Sequence, residues 1–284
     1  MKEEDLQEWV KALWGDAPVP SELLPEITRL TSRKFVEWEL VETVHQWLYL
    51  QLVCSEPGRI VAPSRTGKTR ICELFMLKHK SQRQAGRRDI VPVLHIQAPE
   101  DCPPGEFFVL ILESLKFPVG STSQKIADLR RQVLMVLEES KVRMLIIDEA
   151  NFLKAKTYSE VRRIYDHFEK KSGLSIILVG TDRLDAVVKR DEQVHGRFSA
   201  CYRFGVLSGE KFKLLVEAWE EEIVKLPLPS NLTSPKMLKL LQEKTQGKVG
   251  HLDKILRKAA ILALKNGTKK IDQAVLKEVL EHFS

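Results

Sequence analysis

One stretch restricts the possible folds more than any other: GRIVAPSRTGKTRICELF, residues 58–75. A short apolar run, RIVA (59–62), reads as a buried strand. It enters a loop that ends Gly67-Lys68-Thr69, and the loop enters a segment with helical character. Strand, tight glycine loop and helix in that order form the opening of a βαβ unit, so a parallel sheet is implied. The loop follows the pattern G-x-x-x-x-G-K-[ST], here Ala62-Pro63-Ser64-Arg65-Thr66-Gly67-Lys68-Thr69. The helix that starts here points unpaired N–H groups at an anion. In this pattern Gly67 lets the backbone approach a β-phosphate, Lys68 reaches the β/γ oxygens, and Thr69 offers a hydroxyl to Mg²⁺. Ser64, Thr66 and Arg70 complete the candidate nucleotide-binding set. Ala62 and Arg65 stand where glycine is usual. A methyl group fits at 62 if φ is negative there, and Arg65 adds a cation beside the phosphates or facing a neighbouring subunit.

The period of the apolar residues alternates along the rest of the chain. Strands are expected at 90–97, 142–148, 174–180 and 201–206, with helices at 103–115, 121–140 (opened by Ser/Thr caps) and 157–173 (closed by Gly173). Strands alternating with helices give an α/β fold with a parallel five-stranded sheet between helices. Residues 1–55 read as a helical extension broken near DAPVP and LLPEI, with Phe35, Leu40, Val44, Trp47, Leu48 and Leu52 at helical spacing. From Ser208 on there is no strand signal. Helices at 208–225, 234–245, 249–265 and 272–283 suggest a small helical lid. The expected domains are therefore 1–55, a nucleotide-binding core at 56–206, and a lid at 207–284.

The second half of a nucleotide site comes from RMLIIDEA, which puts Asp148 and Glu149 at the end of an apolar strand. Asp148 suits the water shell of Mg²⁺, and Glu149 suits orienting or deprotonating an attacking water. IILVGTD ends another strand at Thr181 and Asp182, where a polar side chain could sense a γ-phosphate or cap a helix. HGRF carries Arg197, which could reach a neighbour's γ-phosphate in trans or form a surface salt bridge; Arg190 is the second choice. The reaction these residues suit is in-line attack of water on ATP, giving ADP and phosphate.

Hydrophobic content of 43% and charged content of 30% over 284 residues exclude a disordered chain. The net charge of +6 permits nucleic-acid binding without requiring it. Cys54, Cys72, Cys102 and Cys201 have no metal or redox spacing, which fits a reducing cytoplasm. No apolar run reaches membrane-spanning length, and the acidic N-terminus lacks a signal core. A cytoplasmic protein is expected.

With these motifs in this order, the chain resembles an AAA+ ATPase with a P-loop core and an all-helical lid. Within that class it is similar to the transposon regulators of the TnsC/TniB type. The resemblance rests on GRIVAPSRTGKTRIC, MLIIDEANFL, ILVGTDRL followed by RF, and TQGKVGHLDKIL, and it covers about residues 35–282. SRTGKT and the short length favour the compact TnsC of type V-K CRISPR-associated transposons. The resemblance implies an ATP- and Mg²⁺-dependent switch that assembles as a homo-oligomeric ring or filament on double-stranded DNA, marks the target and recruits a DDE transposase. It further implies a TniQ-type adaptor and a guide-RNA CRISPR effector as partners. It assigns Lys68 and Thr69 to phosphate and Mg²⁺, Asp148 and Glu149 to Mg²⁺ and water, Thr181 or Asp182 to sensor 1, and Arg197 to the trans finger. The chain departs at sensor 2, where His251 follows Gly250 in place of arginine. Lys248 or Lys254 are the substitutes there.

For DNA, the segments 115–125 and 151–158 are expected on the ligand-facing side, with Lys116, Thr122, Lys125, Lys154 and Lys156 as phosphate contacts. The basic run KHKSQRQAGRRD (78–89) is expected on an outer loop. Two other readings remain: a replication-initiator or helicase-loader ATPase, and a nucleotide-gated signalling scaffold that ignores DNA.

Overall fold

The computed structural model describes residues 3–15, 18–32, 36, 38–120, 124–171 and 173–283. Phe35 and Thr122 lie outside the described residues, as do the Ser/Thr caps expected at the start of the 121–140 helix. The chain divides into two compact units. One spans Glu39–Gly205; the other combines the residues up to Trp38 with those from Val206 on.

The first unit holds a parallel sheet of β1 (Gly58–Val61), β2 (Val93–Gln97), β3 (Met144–Asp148), β4 (Ser175–Gly180) and β5 (Cys201–Arg203), in the order β2-β3-β4-β1-β5. The order is legible in the side chains. β3, β4 and β1 are buried at every position, whereas β2 exposes Gln97 and β5 exposes both its ends. Strands covered on both faces read as near-continuous apolar runs, broken in β1 only by the buried Arg59, and edge strands need not. Against the sheet lie α3 (Glu39–Cys54), α4 (Lys68–Lys78), α5 (Pro104–Ser114), α6 (Ile126–Glu139), α7 (Ala155–Glu169), α8 (Asp182–Val188) and α9 (Glu192–Arg197). The core between them includes Phe107, Ile111, Val133, Ile147, Ile164, Leu178 and Phe198. Gly58 is required where α3 crosses β1, because a β-carbon there would lie 2.9 Å from the Trp47 ring.

The second unit is helical: α1 (Glu3–Trp14), α2 (Leu23–Thr31), α10 (Gly209–Trp219) running into a π-helical turn (Glu220–Val224), α11 (Pro235–Thr245), α12 (Val249–Lys265) and α13 (Gln273–Glu281). Leu6, Val10, Ile27 and Leu30 share one core with Phe212, Leu256 and Leu276. The carbonyls that a helix end leaves unpaired fasten this unit. Arg257 donates to Leu30 O at 2.5 Å and Ser32 O at 2.8 Å at the end of α2. Arg29 donates to Ile223 O and Val224 O of the π turn, at 2.5 and 2.8 Å.

Three expectations change. The chain does not divide at residue 55. His45 of α3 bonds to Ile71 O of α4 at 3.0 Å and its ring meets Phe75, so α3 joins the sheet unit, while α1 and α2 join the C-terminal helices. LLPEI does not break a helix: Pro25 falls in the first turn of α2, where no N–H is needed. The last strand ends at Arg203 and not at 206. Among the described residues, no helix is long and apolar enough to cross a membrane.

Candidate nucleotide site

Because all five strands are parallel, their carboxyl ends share one edge of the sheet, and the loops there carry Lys68, Asp148 and Thr181. Ligands bind at this edge in open α/β sheets. Gly67, at φ +97°, turns the chain into α4. Ala62 is buried and is not among the described residues with positive φ, so its methyl group fits. Arg65 is different. It takes φ +67°, a left-handed conformation that disfavours a residue with a β-carbon by about 1–2 kcal/mol. Lys68 Nζ donates to Ala62 O and Pro63 O, both at 2.9 Å, and Thr66 Oγ1 donates to Pro63 O at 2.7 Å. The loop is thus held open around its own lysine. Burial draws the Lys68 pKa below its usual value, and the nearby Glu149 and Asp148 charges oppose that pull. Ser64 and Arg65 are exposed, Thr69 is half-buried, and Arg70 is turned toward Glu73 at 2.5 Å.

Asp148 is fully buried. Its Oδ1 accepts the Glu149 backbone N–H at 2.8 Å. Its Oδ2 has no hydrogen-bond partner among the described residues, and neither has His95 Nε2, 3.8 Å away. At that distance the imidazole acts on the carboxylate electrostatically, beyond hydrogen-bond reach. Burial works to raise the Asp148 pKa, but His95, the Thr69 hydroxyl and the Glu149 N–H outweigh it and hold the carboxyl below its ordinary value. An ionised, buried carboxylate oxygen with no partner, beside a threonine hydroxyl, fits Mg²⁺ or its water shell. Among the described residues no cluster of three or more His, Cys, Asp or Glu forms a metal cage. Glu149 adopts φ 50°, ψ 35° and opens a 3₁₀ turn, Ala150–Phe152.

Thr181 sits at the N-cap of α8 without a side-chain cap bond. Its backbone N–H donates to Asn151 Oδ1 at 3.3 Å, which ties the end of β4 to the turn after Glu149. Asp182 is exposed and pairs with Arg203, which also bonds Asp185 at 2.8 Å. Asp185 in turn binds the buried Arg59 at 2.8 Å, and Arg59 donates to Phe198 O as well. Asp182 is therefore engaged at the base of α8, and Thr181 is the less committed of the two. Arg197 is exposed and pairs with Asp166 at 2.9 Å, and Arg190 is exposed on the turn after α8. His251 lies in the first turn of α12, in the helical unit, with its ring edge-on to Phe283.

The lysines do not form one set. Lys154 caps α7 and its N–H donates to Cys102 O at 3.1 Å, just beyond β2; Lys156 follows in the same turn. Lys125 caps α6, whose Ile126 meets Gly105 at the start of α5. These three lie toward the strand ends that carry Asp148. Lys116, with φ +54°, lines a groove of about 1170 Å³ with Arg87, Arg88, Val93 and Ser140. Val93 begins β2, and Ser140 O accepts Val91 N–H, so Lys116 sits at the opposite edge of the sheet. The expectation that 115–125 lies wholly on one side fails, because Lys116 follows the end of α5 at one edge of the sheet and Lys125 opens α6 toward the other. The basic run 78–89 shares the groove with Lys116. Among the described residues none of Lys116, Lys125, Lys154 and Lys156 has an ion-pair partner.

Sequence reading missed His95, Asn151 and the Arg59–Asp185–Arg203 network. Asn151, three residues past Asp148, had a positional signal. A lone histidine in an apolar strand and an arginine inside RIVA carried none.

A family model described as "Bacterial TniB protein" matches residues 27–204. No curated protein sequence matches the chain. Several solved structures share its fold. CDC6P from Pyrobaculum aerophilum is 18% identical, covers 96% of this chain and 71% of its own, with a TM-score of 0.67. The Aeropyrum pernix ORC1 protein, solved in complex with DNA, is 14% identical with coverage of 90% and 69% and a TM-score of 0.67. The Aeropyrum pernix ORC2 protein, solved as ADPNP-ADP complexes, is 13% identical with coverage of 89% and 71% and a TM-score of 0.65. The fold is that of AAA+ proteins. Since the family model spans well over half of the chain, including Lys68 and Asp148, the chain belongs to the bacterial TniB family.

Proposed function

We propose that this chain is an ATP-dependent regulator of transposition that oligomerises on duplex DNA, marks the target site and recruits a DDE transposase, with ATP hydrolysis driving disassembly. The observation that carries the reading is the buried, unpartnered Asp148 Oδ2 beside Thr69 in a TniB-family chain. Lys68 and the N–H groups that open α4 bind the phosphates. Thr69 and Asp148 hold Mg²⁺, which supplies charge neutralisation on phosphate oxygens when bound. Glu149 orients the attacking water and takes its proton, and Thr181 senses the γ-phosphate, with Asp182 as the alternative. Ser64, Arg65, Thr66, Gly67 and Arg70 complete the binding loop. Arg197 acts in trans on a neighbour's site, which requires it to leave Asp166, and His251 stands in for the usual sensor arginine. Lys125, Lys154 and Lys156 contact DNA phosphates from the site's end of the sheet. Lys116 belongs to a separate basic groove. The finer assignment is to the compact TnsC of type V-K CRISPR-associated transposons, with a TniQ-type adaptor and a guide-RNA effector, in the bacterial cytoplasm.

Electron microscopy of the protein with linear duplex DNA in ATP, ADP and no nucleotide tests this reading. Rings or filaments only with ATP support it, and ATP-dependent oligomers that ignore DNA reject it. The likeness to the DNA-bound ORC1 structure supports a second reading, a replication-initiator-like ATPase. Turnover that responds to a transposase separates the first from the second.

A further inference from the structure

We infer that Tyr158 is a positioning residue that couples the first turn of α7, which presents Lys154 and Lys156, to the conformation of Glu149. The inference rests on the reading that these lysines face DNA and that Glu149 handles the attacking water. Glu149 has φ 50°, a left-handed conformation that a residue with a β-carbon keeps only where its surroundings impose it. On one side its N–H is fixed to Asp148 Oδ1 at 2.8 Å. On the other side the carbonyl of Ala150 accepts a hydrogen bond from Tyr158 Oη at 2.5 Å. Tyr158 is buried at 3% exposure, so water does not replace this bond. It sits four residues past Lys154 and two past Lys156, within the first turn and a half of α7.

The turn between the two sites has few ways to slip. Phe152 N–H donates to Glu149 O at 2.9 Å, and Leu153 N–H donates to Ala150 O at 3.1 Å. The start of α7 is pinned to the chain beyond β2 by Lys154 N–H and Thr157 Oγ1, both donating to Cys102 O, at 3.1 and 2.8 Å. These bonds join the α7 turn and the chain beyond β2 into one body, so a load on Lys154 and Lys156 is passed by the Tyr158 hydroxyl to the peptide next to Glu149. The P-loop holds the phosphates independently of this strut, so the effect falls on turnover and leaves ATP affinity alone.

The test compares the full chain with Tyr158→Phe, which keeps the buried ring and removes the hydroxyl. ATP turnover and KM are measured with and without linear duplex DNA, together with DNA binding and thermal melting. In the parent, DNA changes kcat by about fivefold or more. In Tyr158→Phe the ratio of kcat with DNA to kcat without it returns to about one, while KM for ATP and DNA affinity stay within about twofold of the parent. A merely structural role would lower the melting temperature and leave the ratio intact; an unchanged ratio in this variant overturns the inference alone. A parent that binds DNA without any change in kcat also overturns it alone. A parent that does not bind DNA overturns both the inference and the function it rests on. The exposed double substitution Lys154→Ala/Lys156→Ala, which leaves the core untouched, gives a check independent of the tyrosine. It should lose the DNA response, and a response kept at parental size sinks the proposed route.

Discussion

Lys68 ties the loop together and, in the proposed reading, also holds its ligand. Its ammonium bridges two loop carbonyls at 2.9 Å, Ala62 O and Pro63 O, so removing it unpairs both and withdraws the charge. Lys68→Ala is expected to weaken ATP binding by about 100-fold or more, since charge-assisted hydrogen bonds contribute ~1.5–3 kcal/mol each; a nucleotide titration checks this. Glu149→Gln keeps the side-chain shape and removes the proposed base, so ATP affinity should stay and single-turnover hydrolysis should fall about 100-fold. Arg65 tests a subtler point. Arg65→Gly relieves the strain of φ +67° but frees the unfolded chain, and these terms of about 1 kcal/mol nearly cancel. Urea melts should therefore match the parent within about 1 kcal/mol. A drop in ATP affinity of about fivefold then reports the guanidinium itself. The placement of Lys68, Thr69, Asp148 and Glu149 at the carboxyl ends of β1 and β3 was legible because the proposed chemistry needs fixed residue types at fixed spacing. The sequence was silent on the φ of Arg65, which only the closed loop determines.

At the level of elements, the network Arg59–Asp185–Arg203–Asp182 joins β1, α8 and β5 beside Thr181. Burial works to raise the Asp185 pKa, but Lys189 and Arg59 outweigh it and hold the carboxyl below its unfolded value. The stabilisation is therefore present above the unfolded pKa, near 3.9, and is lost as pH falls through the lower folded value. Asp185→Asn leaves Arg59 buried with only its carbonyl partners, which should cost about 3 kcal/mol at pH 7. The deficit relative to the parent should shrink below about pH 4, as read by chemical denaturation across pH. A deficit that stays constant with pH would mean that packing, and not charge, explains it. Strands β1, β3 and β4 were legible because continuous apolar runs mark a sheet covered on both faces. The placement of Lys116 was not: nothing in LKFPVGSTSQK says that its first lysine lies at one edge of the sheet and its last toward the other.

The division of the whole molecule is the part least visible in sequence, because it depends on contacts between the two ends of the chain. Helical periodicity showed that the N-terminal residues form helices but could not say what their apolar faces meet. Leu30 is fully buried in the core shared by α2, α10 and α12, and the α2 carbonyls are bonded by Arg257. Leu30→Ala should therefore destabilise the helical unit by about 2–5 kcal/mol, the range for truncating a buried leucine. The two units have separate cores, so the loss should stay local. Hydrogen exchange is expected to show faster amides in α10 and α12 with unchanged protection in β3 and β4, and ATP titration should return the parental affinity. If residues 1–55 were a detachable extension, α10 and α12 would exchange as in the parent. The comparison thus decides whether α1 and α2 are a structural part of the helical unit or an appendage in front of the nucleotide-binding core.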